Sequence, residues 1–148
     1  MLAYYHGGRW RSAFDPTTLA TTSQLNDVDA DASGRLRAVG GEGVKPLVLR
    51  GSGQNFVRES APTVDRGTSL HSITQGPPAY AVGVYTGSDA WAHPAAYRRA
   101  GGQWRSEQVN STYGNPFGVA VDPAGHAWLT GVSVTDDFGL IMRRFGSP

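Results

Sequence analysis

Short apolar runs cut off by Gly, Pro, Asn or Asp recur along the whole chain, and three stretches repeat one pattern. Leu25-Asn-Asp-Val28 leads to Ala38-Val39-Gly40, Leu70-His-Ser-Ile73 leads to Ala81-Val82-Gly83, and Phe117-Gly-Val119 leads to Leu129-Thr130-Gly131. An aromatic marker keeps step. Trp10 follows His6-Gly-Gly-Arg9, Phe56 follows Gly51-Ser-Gly-Gln-Asn55, and Trp104 follows Ala100-Gly-Gly-Gln103. A period of roughly 40 to 50 residues with several short strands per unit is the mark of propeller blades or a β-array.

The third unit shows how one period divides. Phe117–Asp122 has the length of a strand, and Asp122-Pro-Ala-Gly125 is a tight turn in which Pro presets φ at the second position. His126–Val134 is then a second strand, and Leu140–Phe145 a third after the polar stretch Thr135–Gly139. In the second unit the third strand, Ala95–Arg99, turns through Ala100–Gln103 into a fourth, Trp104–Val109. The first unit follows the same plan with Leu25–Asp31, Arg35–Gly40, Lys45–Arg50 and Asn55–Glu59, whereas the second has a shorter first turn. Apolar residues at helical spacing are missing, which leaves only 15–20, with Asp15 as cap and Pro16 at the first helical position, for a single helical turn.

Leu2–Trp10 aligns with Ala96–Trp104, so the chain starts on a third strand, and Ile141–Ser147 ends it on another. The expectation is one all-β repeat domain over 1–148: strands 1–14 completing a blade, blade one at 15–59, blade two at 60–109 and an incomplete blade three at 110–148. Three four-stranded antiparallel blades in a propeller-type array leave open edges. Those edges predict closure through self-association, a homodimer of six blades in which the Trp10 strand completes the sheet of Phe117–Phe145, within the chain or from a neighbouring protomer.

Composition fits this architecture. Gly 20 and Pro 9 fall between the apolar runs as turn punctuation, and 39% hydrophobic content supports a buried core for 148 residues. Thirteen basic against twelve acidic residues, with no dense Lys/Arg window, argue against nucleic-acid binding. Lys45 is the single lysine, so the positive charge is almost all arginine, which suits planar hydrogen bonding and stacking on aromatics. Cysteine is absent, which excludes disulfides and thiolate chemistry. No signal peptide is visible at Met1–His6 and no run approaches a membrane span, so the chain reads as soluble, with its compartment open.

Gly118-Val-Ala-Val-Asp122-Pro-Ala-Gly125-His-Ala-Trp128-Leu-Thr-Gly131 resembles the bacterial β-propeller repeat written G-V-A-V-D-x-x-G-N-x-Y-V-T-G. The turns before Trp10 and Trp104 are similar to those of Asp-box repeats but lack the defining Ser and Asp. The resemblance implies a fold, and it implies no sialidase-type machinery, since propellers host many unrelated activities.

Asp29-Ala-Asp31-Ala-Ser33-Gly34 matches the opening of a calcium loop but lacks its closing carboxylate. It reads first as a hairpin turn, with Asp29, Asp31 and Ser33 as the candidate cation ligands and calcium as the only cofactor to consider. His6, His71, His93 and His126 show no metal-ligand spacing. His71 takes the innermost-strand position held by Asn26 in unit one and Phe117 in unit three, where a polar group would line a central channel. Ser72 adjoins His71, but neighbours in a strand point to opposite faces, and there is no G-x-S-x-G elbow. Asp136-Asp137 reads as a solvated loop. Trp10, Phe56 and Trp104 recur at one blade position and read as packing residues. Trp91 does not recur. It stands in the polar loop 86–94, and an off-pattern Trp in a loop is the best binding candidate.

The expected ligand set is therefore Trp91, Asp89, His93, His71 and Arg98. Aromatics among arginines point to a non-catalytic, lectin-like binding module for carbohydrate or a protein surface. An architectural segment of a larger propeller, and a hydrolase or lyase working through the central channel, are the two alternatives.

Overall fold

Alternating apolar and polar side chains broken by turn residues fold here into strands alone. The computed structural model describes residues 2–13, 19–111, 113–133 and 139–143, and among them there are thirteen strands and no helix. The hairpin β1 (Ala3–His6) and β2 (Arg9–Ser12) comes first. A four-stranded sheet follows: β3 (Ser23–Ala30), β4 (Leu36–Glu42), β5 (Lys45–Ser52) and β6 (Asn55–Glu59). The second sheet holds β7 (Thr68–Thr74), β8 (Tyr80–Thr86), β9 (Ala92–Ala100) and β10 (Gln103–Glu107). The third holds β11 (Asn115–Val121), β12 (Ala127–Val132) and β13 (Gly139–Arg143). Each sheet is an antiparallel meander in chain order. The helical turn expected at 15–20 and the Trp10 side chain lie outside the described residues.

Pairing explains the repeated glycines. Gly40 faces Leu25, Gly83 faces Leu70 and Gly131 faces Pro116. Directly after each of these partners the ladder skips a residue, so Asn26, His71 and Phe117 are β-bulges at equivalent places. The bulge presses the neighbouring backbone onto the glycine. A Cβ would fall 1.9 Å from the Gln24 carbonyl oxygen at Gly40, 2.0 Å from that of Ser69 at Gly83 and 2.2 Å from that of Asn115 at Gly131. Only glycine leaves room.

The aromatic marker is equally structural. Trp10 pairs with Tyr5, Phe56 with Gly51 and Trp104 with Arg99, one residue into each fourth-type strand. The Gly-Gly turns before Trp10 and Trp104 match as well, with φ of 60° and 77° at Gly7 and Gly8 and of 59° and 82° at Gly101 and Gly102.

The first sheet is packed on both faces, because successive side chains point opposite ways. Val39 and Val48 join Leu70, Ile73, Ala81, Ala95, Tyr97 and Trp104 of the second sheet in one core. Ala38, Leu47 and Leu49 on the other face meet Leu2 and Ala13 at the ends of the hairpin. Burying a side chain such as Leu70 contributes about 1.5–3 kcal/mol. The hairpin thus forms its own two-stranded sheet against the first sheet and does not extend the β13 edge. The third sheet lies on the second, β11 against β7, β8 and β9, and the first strands of successive sheets, β3, β7 and β11, are neighbours. No helix among the described residues is long and apolar enough to cross a membrane.

Candidate ligand-binding site

The link from β8 to β9 is a tight loop. The Gly87 amide donates to the Trp91 carbonyl at 3.0 Å, and the Ala90 amide donates to the Gly87 carbonyl at 3.0 Å, with Ala90 in the left-handed region at φ 66°. Asp89 braces it from inside, its Oδ1 accepting the Trp91 amide at 3.0 Å. From outside, the Ser88 amide donates to Asp65 at 2.8 Å.

His93 stands at the start of β9, opposite Tyr85 on β8, and the two rings stack at 4.9 Å and 15°. Its Nε2–H donates to Asp89 at 2.9 Å. Gly87 makes that approach possible, since a Cβ there would sit 2.5 Å from His93 Nε2 and 2.6 Å from Asp89 Oδ1. Tyr113 closes the group from the connection to the third sheet. Its ring is 5.1 Å from His93 and 5.9 Å from Trp91, and its hydroxyl donates to Asp89 at 3.4 Å. The following residue is pinned through its amide, Gly114 donating to the Ala92 carbonyl at 3.2 Å.

The result is a carboxylate held by the His93 imidazole, the Tyr113 hydroxyl and the Trp91 backbone amide, with the Tyr85 ring stacked on His93 and the Trp91 ring, 56% exposed, tilted against Tyr113. The His93 hydrogen bond, and then the Trp91 amide, hold the Asp89 carboxyl below its usual range, so it is an anion at ordinary pH.

Of the five residues expected to bind ligand, the structure brings three together: Trp91, Asp89 and His93. Tyr85 and Tyr113 belong with them. Tyr85 could have been found as the cross-strand partner of His93, whereas nothing in the text around Tyr113 announces it.

His71 is engaged elsewhere. As the bulge residue of β7 it donates from Nδ1 to the Pro116 carbonyl at 2.9 Å, and its ring stacks on Phe117 at 5.7 Å. Asn26 does the same one sheet earlier, donating to the Leu70 carbonyl at 2.6 Å. Arg98 lies towards the far end of β9 and pairs with Glu107 at 2.8 Å. Ser72 donates its hydroxyl to Asp27 at 2.8 Å.

The calcium-like loop is a turn. Asp29 accepts the backbone amide of Gln75, the residue directly after β7, at 2.7 Å, tying the first sheet to the second. Asp31 accepts the Ser33 hydroxyl at 2.5 Å and the Ser33 and Arg35 amides at 2.9 and 3.0 Å. Those bonds, the Ser33 hydroxyl first, lower the Asp31 pKa. Asp122 builds the same turn, taking the Ala124 and His126 amides at 3.0 and 2.9 Å, with glycine in the left-handed region at Gly34 and Gly125 alike. Asp29 and Asp31 thus face different partners, and among the described residues no group of three His, Cys, Asp or Glu side chains could hold a metal ion.

No protein-family model, curated protein or solved structure matches the chain, so the site has to be read from its own geometry.

Proposed function

We propose that this chain is a non-catalytic ligand-binding module with its sheets arranged as propeller blades, and that it grips a carbohydrate at Trp91. The observation that carries this reading is the exposed Trp91 indole packed against Tyr113, whose hydroxyl reaches the ionised Asp89 carboxylate. A pyranose offers an apolar C–H face and a rim of hydroxyls. The indole takes the first, and the Asp89 oxygens accept from the second while the Tyr113 hydroxyl and His93 hold the carboxylate in place. Adjacent first strands in successive sheets support the blade arrangement. The Gly118–Gly131 resemblance points the same way.

A glycan array followed by Trp fluorescence titration tests the reading. Saturable quenching by a hit sugar that disappears in Trp91→Ala is the expected result. Array-negative chain that instead captures a protein through Trp91 would replace carbohydrate with a protein surface, and binding unchanged in Trp91→Ala would overturn the site.

Open edges favour closure by a second copy, giving six blades. β13 has no fourth strand beside it among the described residues, and the β1–β2 hairpin belongs to no larger sheet.

A further inference from the structure

A second site stands apart from the aromatic cluster, where the first and second sheets meet. Glu59, the last residue of β6, is its centre. Its Oε2 accepts from the Trp104 indole at 2.8 Å and from Arg37 Nε at 3.0 Å. Its Oε1 has Arg50 Nε at 3.2 Å and Arg99 Nη2 at 3.4 Å. Arg37 also donates to Gln75 at 2.5 Å, and Arg99 donates to the Gly102 carbonyl at 3.0 Å.

Three guanidiniums therefore converge on one carboxylate. Among the described residues no other carboxylate forms an ion pair with any of the three. With Glu59 ionised the cluster carries two uncompensated positive charges, and arginine cannot lose its proton to relieve them. Hydrogen bonding is unbalanced as well. The Nε atoms of Arg50 and Arg99 are both buried without a hydrogen-bond partner, Arg50 lying within ion-pair distance of Glu59 but off the bonding direction. Buried donors of this kind are normally satisfied. The Nε atoms are buried, but the two side chains as a whole are 39% and 26% exposed, so part of each guanidinium-bearing arm is open to a solute.

We infer that this inter-sheet arginine cluster binds a tetrahedral oxyanion, a phosphate or sulfate group, through Arg50 and Arg99, with Arg37 as the third positive charge. A dianion balances the two surplus charges, and its several acceptor oxygens suit two guanidinium forks. The cluster lies towards the end of β9 remote from His93, so the inference does not depend on the carbohydrate reading.

Calorimetric titration of the whole chain with sodium phosphate and sodium sulfate, at ionic strength held constant with chloride, tests it. Saturable binding is expected, weakened about tenfold or more in Arg50→Gln and in Arg99→Gln and only partly restored in Arg50→Lys, which keeps the charge but loses the fork. In the unaltered chain the Nε–H resonances of Arg50 and Arg99 should shift as phosphate is added, a readout that needs no variant to fold. Phenyl phosphate run in parallel separates the sources: tighter binding than phosphate assigns the site to an ester on a larger ligand, and equal binding assigns it to the free ion. No saturation up to about 10 mM phosphate with both resonances unmoved, or equal affinity in the two Gln variants, overturns the proposal.

Discussion

The indole N–H of Trp104 lies 2.8 Å from Oε2 of Glu59, joining β10 of the second sheet to β6 of the first. Trp104 is only 5% exposed and sits in the shared core, so it is both a packing residue and a fastener. Trp104→Ala should cost about 3–5 kcal/mol, and Trp104→Phe less, because it keeps most of the buried area and loses chiefly the hydrogen bond. Urea denaturation of the three proteins reads this directly. A midpoint for Trp104→Ala within error of the parent would refute the anchor role.

Gly83→Ala should be worse than its single methyl implies. The added carbon would meet the Ser69 carbonyl oxygen at 2.0 Å, and backbone cannot swing aside as a side chain can. A loss of about 1–3 kcal/mol or more follows from such overpacking. Gly67→Ala is the control. Its nearest neighbour would be 3.6 Å away, and the change should stay within about 0.5 kcal/mol. Thermal melts of the pair separate the two cases.

At the aromatic cluster, Gly87→Ala would push apart Asp89 and His93, while Trp91→Ala removes the exposed ring and leaves that pair alone. Both should lose sugar binding. Only Gly87→Ala should also disturb the His93 ring resonances, so NMR spectra of the two variants tell positioning from contact.

Acid should weaken the fold through Glu42. Arg58 holds its carboxylate at both oxygens, each at 2.5 Å, and the Ser23 hydroxyl and Ala20 amide add to this, lowering its pKa from 4.5 to about 2. Lowered in the folded state, the group contributes stability that is complete above the unfolded value and is lost as pH falls from there towards about 2. Asp89 and Asp122 act with the same sign, Asp122 chiefly through the Trp128 indole. Urea midpoints measured across this range should fall with acid. The fall should be shallower in Glu42→Gln, and parallel curves would deny Glu42 its part.

The proposed closed ring predicts a mass near twice the 15.7 kDa of one chain by light scattering. A stable, well-folded species at the single-chain mass would remove it.

What could be read in the text was whatever repeats or punctuates. Gly40, Gly83 and Gly131 stood out because one bulge geometry demands glycine three times, and the Asp31 and Asp122 turns because each is a local arrangement. Trp91 stood out by failing to recur. The Glu59 cluster left no such trace, since its members come from β4, β5, β6, β9 and β10 and meet only when two sheets pack. Tyr113 escaped for the same reason. His71 holds the strand position equivalent to Asn26 and Phe117, and the bulge there turns its side chain onto the next sheet's backbone, which its sequence position alone does not announce.

That turn gives the molecule a direction. Asn26 donates a hydrogen bond to the Leu70 carbonyl and His71 donates one to the Pro116 carbonyl, so both contacts point from an earlier sheet to a later one. A carbonyl is supplied by any residue, but the donor must be written into the sequence. Duplication of a unit would therefore carry its own connector along, provided the bulge residue can donate. Phe117 cannot, and the relay stops at its ring, 53% exposed and resting on His71. Lengthening the array past the third sheet would call for a polar residue at that one position, and Phe117→Asn is the smallest edit that restores the rule.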